Sequence, residues 1–352
     1  MNNFLIRVDA NEEIGWGHLY RCVSISKQLK KLDKKSTFLI KFYTSEVLEY
    51  LNIHTINYIL LDELEPLPFN QFLNDLKEIK KIDVVILDIT HSLYLNKTEL
   101  LEQHLSSFSE QFFTVLFSEL NHQNFNCDIF ISPYLGSISS LDNSERLLIG
   151  ESYFILRDEF ITKGQSYKVK KDINHIAITM GGSNPSNSIE IAVESVAISK
   201  FKGKCKIIMG KNASIDKKRI DQIIEESKIN FDFVYEGEFS SLLLEADIVF
   251  TNSGLTKYEA LFLGIPTFAF SINSNHAEIM DIFQNETESI KHIGNINSIE
   301  TIYISNQLNE FMEDHNLRDD MSKRGKKLID GKGSERVIKK ILEKYKEKVY
   351  EK

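Results

Sequence analysis

Residues 7–22 read RVDANEEIGWGHLYRC, and this stretch decides the fold. The apolar residues 4–8 predict a buried strand, and two glycines, Gly15 and Gly17, come after it. Over residues 19–32 apolar side chains recur at helical spacing, which predicts an amphipathic helix. A strand, a glycine turn and a helix form the opening unit of a doubly wound α/β domain, which binds ligands outside the carboxyl ends of its strands.

The glycine turn carries the first candidates for chemistry. Asp9, Gly15, Gly17 and His18 fall at the predicted ligand edge, and Arg21 shares a helical face with His18 three residues before it. The two glycines would let the backbone approach a substrate closely. Taken alone, the turn has an ordinary structural reading as well, because glycines and an aspartate make tight turns and a histidine can begin a helix. The functional reading therefore depends on the rest of the chain.

The composition narrows the classes of function. The 352 residues predict two domains, at about 150 residues per domain. The 42 Lys and Arg against 51 Asp and Glu give a net charge of −9, which argues against a nucleic-acid-binding protein. Three cysteines, Cys22, Cys127 and Cys205, lie far apart and predict neither a disulfide framework nor a zinc cluster. With no signal peptide and no apolar run of about 18 residues, we expect a cytoplasmic protein without a membrane span.

The strand–glycine–helix pattern begins again in the second half of the chain. Residues 175–180 predict a strand, and Gly181, Gly182 and Ser183 follow it at the start of a helical pattern. These three residues are predicted to bind the substrate, because backbone N–H groups at a helix start attract phosphate. The predicted fold is therefore α/β, with two doubly wound Rossmann-like domains facing each other across a cleft. The expected boundaries are an N-terminal domain at 1–164, a C-terminal domain at 165–335 and a final helix at 336–352.

A second polar turn, NSGLTKYE at residues 252–259, is the stronger ligand signal of this half. It follows a predicted strand and opens a helix, where backbone N–H groups and the helix dipole attract phosphate. The predicted substrate contacts are Asn252, Ser253, Gly254 and Thr256, and Glu259 is placed to accept hydrogen bonds from a ribose diol. A capping arrangement explains the same residues. We favour the functional reading, because the glycine turn at 181–183 is predicted to face the same cleft.

The position of Asp88 has two interpretations. Asp88 ends the predicted strand 83–89, again at the ligand edge. A role in a turn or cap and a role in function are equally consistent with its position.

Taken in order, these motifs resemble the nucleotide-sugar hydrolase family of pseudaminic acid biosynthesis and the related spore-coat polysaccharide proteins. The resemblance covers most of the chain, and its segments are RVDANEEIGWGHLYRC at 7–22, GESYFILRDEF at 150–160, GGSNPSN at 181–187, SGLTKYEALFLGIP at 253–266 and DGKGSER at 330–336. Two departures stand out: the usually glycine-rich run before Glu259 is NSGLT, and Asn184 replaces the Asp expected before Pro185.

The resemblance implies the GT-B architecture, with the nucleotide on the C-terminal domain. His18 matches the key catalytic residue of that family, and the counterparts of Glu259 and Asn275 contact nucleotide or sugar. The implied reaction is hydrolysis of a UDP-linked amino or deoxy sugar at its anomeric carbon. His18 would activate water, since imidazole exchanges protons near neutral pH, and Asp9 or Arg21 would orient it or bind substrate.

Two other functions remain open from the sequence. A GT-B glycosyltransferase would use the same nucleotide site with another acceptor, and a non-catalytic protein would only bind the nucleotide sugar. In each case the expected partner is a UDP-linked sugar. No cofactor and no metal are expected, and the protein is expected to be a monomer or a weak oligomer.

Overall fold

The computed structural model describes residues 2–12, 14–61, 81–89, 105–106, 108–118, 125–134, 145–182, 184–210 and 213–350. The chain divides into two compact units, the first made of Met1–Arg157 with Gly331–Lys352 and the second of Asp158–Asp330. Each unit contains one parallel sheet with helices in the connections. The predicted class, two doubly wound Rossmann-like α/β domains, is confirmed.

The strands of the first unit are, in chain order, β1 (Asn3–Val8), β2 (Lys35–Ile40), β3 (Asn57–Leu60), β4 (Val84–Asp88), β5 (Phe113–Phe117), β6 (Ile129–Ser132) and β7 (Leu147–Ile149). They form a parallel sheet in the order β3-β2-β1-β4-β5-β6-β7. The order reverses between β1 and β4, which pair with Val8 opposite Asp88. Doubly wound sheets bind ligands at such a switch point.

The strands of the second unit are β8 (His175–Ile178), β9 (Lys204–Ile208), β10 (Asn230–Val234), β11 (Ile248–Asn252), β12 (Thr267–Ser271) and β13 (Lys291–Asn295). Their order is β10-β9-β8-β11-β12-β13, and all the pairs are parallel. The switch point of this sheet lies between β8 and β11. The two polar turns of this half, after residues 178 and 252, therefore leave from adjacent strands.

The helices of the described residues are α1 (Gly17–Lys31), α2 (Ser45–Ile53), α3 (Asp158–Lys163), α4 (Ser188–Ala197), α5 (Lys217–Glu226), α6 (Phe239–Leu244), α7 (Thr256–Leu263), α8 (Ser274–Thr287), α9 (Thr301–Glu313), α10 (His315–Leu328) and α11 (Gly333–Tyr350). The predicted apolar face of α1 is buried on the sheet: Leu19, Cys22, Ile25 and Leu29 are at most 1% exposed. None of these helices has the length and apolar character needed to cross a bilayer.

The division into units differs from the predicted boundaries. The second unit begins at Asp158 rather than at residue 165, because α3 packs on α6, where the Phe160 and Phe239 rings lie 6.1 Å apart. The prediction followed the change to a polar, lysine-rich composition, which begins only after this helix. The final helix begins at Gly333 rather than at 336 and belongs to the first unit, where Val337 and Ile341 join the core under α1.

Candidate active site

His18 lies in the first turn of α1, at the carboxyl edge of the first sheet. Gly15 has a φ of +82°, a left-handed conformation that favours glycine, and its N–H donates to the Asn11 carbonyl at 2.9 Å. The Asn11 side chain accepts a further hydrogen bond from the Ile14 N–H at 2.8 Å. This closed turn leads directly into α1 at Gly17. The turn therefore determines the position of the His18 side chain at the start of α1.

Asp88 at the end of β4 binds the two predicted residues of α1. His18 Nδ1 lies 2.8 Å from Asp88 Oδ1. Arg21 donates through Nε to Oδ2 at 2.8 Å and through Nη2 to Oδ1 at 2.6 Å, a two-point contact. The Asp88 side chain is fully buried, whereas His18 keeps 15% of its side chain exposed. The three residues thus form one cluster at the switch point between β1 and β4.

The charge of Asp88 decides which nitrogen of His18 carries a hydrogen. Burial alone would raise the pKa of Asp88, but the Arg21 guanidinium and His18, by charge and by hydrogen bonds, outweigh burial and hold that pKa well below its usual range. An ionised carboxylate can only accept hydrogen bonds. His18 Nδ1 therefore carries the hydrogen that points at Asp88, and in the neutral ring Nε2 is the basic nitrogen.

Arg21 is held on several sides. Its Nη1 donates to the Tyr134 hydroxyl at 2.8 Å, and its guanidinium lies 5.0 Å from the centre of the Phe117 ring. Only 7% of its side chain is exposed. Its Nη2 also lies 3.1 Å from His18 Nδ1. Arg21 therefore supports both Asp88 and His18.

Asp9, predicted to orient the histidine, is engaged elsewhere. Arg7 donates to its two oxygens at 2.5 and 2.7 Å. Oδ1 also accepts from the backbone N–H groups of Lys41 and Phe42 at 2.8 and 3.0 Å. Asp9 therefore fastens the end of β1 to the segment after β2. The carboxylate that holds the histidine is Asp88, whose functional reading the sequence had left open.

In the second unit, the predicted turns meet at the switch point between β8 and β11. Asn252 Nδ2 donates to the carbonyl of Met180 at 2.7 Å and so joins the ends of the two strands. A Cβ built at Gly181 or Gly182 would meet no atom of the described residues within 4 Å, so that side of each glycine has room for a ligand. Ser183 lies outside the described residues.

The turn after β11 is closed by the other end of the Asn252 amide. Gly254 N–H donates to Asn252 Oδ1 at 2.9 Å. A Cβ at Gly254 would lie 2.8 Å from that oxygen, so a side chain here would displace the Asn252 amide. Both ends of the Asn252 side chain therefore shape the turn, and its predicted contact with substrate stays a prediction.

The predicted contacts that follow this turn lie at the starts of two helices. Thr256 and Glu259 are in the first turn of α7 and are 5% and 6% exposed. Asn275 is exposed near the start of α8. Ser253 Oγ lies 3.2 Å from His276 Nδ1 and thereby links the turn before α7 to α8.

Two residues of this region were not predicted. His276 contacts Ser253, and Lys257 is 5% exposed, with Nζ donating to the Ser253 carbonyl at 2.6 Å. A lysine in the first turn of an amphipathic helix is ordinarily a solvated residue. The sequence therefore gave no signal that Lys257 is buried.

One of the three cysteines touches this cluster, since the Cys22 thiol donates to Asp88 Oδ2 at 3.5 Å. All three are unpaired and buried, and burial raises the pKa of the Cys127 thiol to about 12. Across the described ranges, His, Cys, Asp and Glu nowhere form a group of three or more that could hold a metal ion.

A bacterial protein is similar to almost the whole chain. Spore coat polysaccharide biosynthesis protein SpsG of Bacillus subtilis is 26% identical over 351 residues, which are 98% of this chain and 99% of that protein. This similarity confirms the resemblance to spore-coat polysaccharide proteins that the motifs predicted. No family model matches the chain.

Solved structures share the fold over nearly the full length. MurG of Acinetobacter baumannii has a TM-score of 0.65 at 13% identity and covers 97% of this chain and 100% of its own. CalG4, the calicheamicin glycosyltransferase, has a TM-score of 0.61 at 11% identity, with 97% and 98% covered. Anabaena HepE, solved with UDP and glucose, has a TM-score of 0.61 at 11% identity, with 97% and 100% covered. These likenesses show a GT-B fold.

Proposed function

We propose that the protein hydrolyses a UDP-activated amino or deoxy sugar at its anomeric carbon, releasing UDP and the free sugar. The observation that carries the proposal is the hydrogen bond between His18 Nδ1 and the buried carboxylate of Asp88. It leaves Nε2 as the basic nitrogen of a histidine at the switch point of a doubly wound sheet. The product would serve nonulosonic acid or surface polysaccharide biosynthesis, a setting supported by the name of the relative SpsG.

The reaction needs one base and a stabilised leaving group. A water oxygen attacks the anomeric carbon while its proton passes to His18 Nε2, and the bond from that carbon to the β-phosphate oxygen breaks with its electron pair leaving on UDP. Asp88 stabilises the imidazolium that forms, since the ionised carboxylate already accepts the Nδ1 hydrogen. Arg21 keeps Asp88 ionised and in place.

The second unit supplies the nucleotide contacts in this proposal. The start of α7 offers backbone N–H groups and the positive end of a helix dipole to the diphosphate. Glu259 accepts hydrogen bonds from the ribose diol, and Asn275 at the start of α8 contacts nucleotide or sugar. Support comes from Anabaena HepE, a protein of the same fold that was solved with UDP.

A glycosyltransferase is the second candidate. The same base would take the proton of an acceptor hydroxyl instead of water, and CalG4, a glycosyltransferase by name, shares the fold. The two functions differ only in what attacks the anomeric carbon. A protein that binds the nucleotide sugar without turnover is the third possibility.

An assay with water as the only acceptor separates the three. We expect the purified protein to release UDP from at least one member of a panel of UDP-linked acetamido and deoxy sugars. UDP release that appears only after acceptor sugars or lipids are added would assign a glycosyltransferase instead. Tight binding without release under either condition would leave a binding protein.

A further inference from the structure

We propose that Lys257 is a positioning residue for the diphosphate of the nucleotide. Its buried ammonium holds the carbonyl oxygens of the turn before α7, so that the opposite side of the turn presents N–H groups to the phosphates. This inference rests on the nucleotide site of the proposed function.

The ammonium lies under the turn. Lys257 Nζ donates to the Ser253 carbonyl at 2.6 Å and approaches the Gly254 carbonyl at 3.4 Å. It also lies 4.1 Å from the centre of the Tyr258 ring and 5.6 Å from that of Phe283, both of them buried side chains. Carbonyl oxygens and aromatic faces both attract a cation.

This position is electrostatically unfavourable for a lysine. The first turn of a helix is the positive end of its dipole, where carboxylates are stabilised and cations are not. Burial of a charge adds a desolvation cost. The hydrogen bonds that the ammonium donates to the carbonyl oxygens of the turn offset part of both costs.

The geometry of the peptide group shows what these hydrogen bonds do for the turn. In a trans peptide the C=O and the following N–H point in opposite directions, and no cis peptide occurs in the described residues. Because the Gly254 carbonyl faces Lys257, the Leu255 N–H points to the other side of the turn. The N–H groups at the start of a helix have no acceptor within the helix. The ammonium therefore holds the carbonyls on its own side and leaves the Leu255 N–H on the outer side of the turn.

The rest of the turn is held independently of Lys257. The Gly254 N–H donates to Asn252 Oδ1, and the Ser253 hydroxyl lies beside His276. The loss of Lys257 should therefore turn the Gly254–Leu255 peptide without unfolding the turn. The donor face and the buried positive charge both act on phosphate and not on the base or ribose, so the effect should grow with the number of phosphates.

The test measures affinity for uridine, UMP and UDP by calorimetry. Lys257→Met keeps the length and removes the charge and the hydrogen bonds. We expect UDP to bind about tenfold or more weakly, UMP to lose less and uridine to be unchanged. Lys200→Met, at an exposed lysine paired with Glu313, is the matched control and should leave all three affinities unchanged.

A second variant tests the same inference if Lys257→Met does not fold. Lys257→Gln is neutral but can still donate to the Ser253 carbonyl, so we expect a smaller loss that is again confined to the phosphorylated ligands. Equal losses for uridine, UMP and UDP would show a merely structural role and overturn the inference. Unchanged affinities would overturn it as well.

The outcomes also separate this inference from the proposed hydrolysis. Unchanged UDP affinity in the Lys257 variants, together with UDP release by the unaltered protein, would leave the hydrolase and remove the role of Lys257. If the Lys257 variants lose affinity for the phosphorylated ligands but the unaltered protein hydrolyses no UDP-sugar, the role of Lys257 stands and the proposed hydrolysis falls. Equal affinity of the unaltered protein for uridine and UDP would reject the diphosphate site and the role of Lys257 together.

Discussion

His18 and Asp88 are 70 residues apart in the sequence, yet His18 Nδ1 lies 2.8 Å from Asp88 Oδ1. The contact exists because β4, which ends at Asp88, is the sheet neighbour of β1, whose turn leads into α1. A buried, ionised carboxylate thus sets the tautomer of a histidine that is still partly exposed. The same relationship occurs where histidine acts as a general base.

Replacement of the histidine tests its role as the base. In His18→Ala we expect kcat to fall by about a hundred- to ten-thousandfold, the usual contribution of a general base. UDP affinity should be unchanged, because the proposed nucleotide contacts belong to the second unit. His54→Ala, which removes a histidine packed on Tyr50 in the same unit, should keep normal turnover. An equal loss of UDP affinity in His18→Ala would contradict the assignment.

Asp88→Asn tests the orientation of the ring. An amide can donate as well as accept, so the hydrogen on His18 is no longer fixed at Nδ1. We expect kcat to fall by about a hundredfold or more while UDP affinity stays the same. Asp83→Asn is the matched control, since Asp83 precedes the same strand at its opposite end and accepts from the Asn2 and Asn3 N–H groups. It should lower stability and leave kcat unchanged.

The local motifs could be predicted because each is contained in one short segment. The strand at residues 4–8, its glycine turn and the helix after it correspond to β1, Gly15 and α1. The restart near 175 corresponds to β8 and its turn. In both cases an apolar run followed by glycine specifies the geometry without reference to any distant residue.

The partners could not be predicted in the same way. The choice of Asp88 over Asp9 depends on which strand lies beside β1, and strand order is set by the packing of the whole sheet. The strands β7, of three residues, and β13, with the sequence KHIGN, are too short or too polar to stand out as apolar runs. The burial of Lys257 depends on Phe283, which comes from another helix.

Glu259 carries the predicted contact with ribose. In Glu259→Ala we expect UDP affinity to fall by about 1–3 kcal/mol, the usual range for hydrogen bonds to a charged group. Calorimetry measures the loss, with thermal unfolding as a check that α7 is intact. Glu278→Ala, at an exposed position of α8, should not change the affinity. An intact fold with unchanged UDP affinity would remove Glu259 from the site.

The lowered pKa of Asp88 predicts a loss of stability in acid. Its folded pKa lies below the unfolded value of about 4, so its stabilising contribution is complete above about pH 4 and disappears as the pH falls toward the folded value. At neutral pH, Asp88→Asn should lower the free energy of unfolding by about 3–5 kcal/mol, since it breaks a buried ion pair. Urea titrations should show that this difference shrinks below pH 4. A difference that is constant with pH would contradict the ionised pair.

The final prediction concerns the bond that breaks. With water labelled by heavy oxygen, attack at the anomeric carbon transfers the label to the free sugar, whereas attack at the β-phosphorus transfers it to UDP. The proposed reaction gives the first outcome, because the water whose proton passes to His18 attacks the anomeric carbon. Mass spectrometry of both products after a short reaction measures the label.

A control must incubate free sugar in the labelled water, since ring opening exchanges the anomeric oxygen and this background has to be subtracted. Label recovered in UDP would mean that water attacks phosphorus, and the role of His18 as the base for attack at carbon would then be wrong.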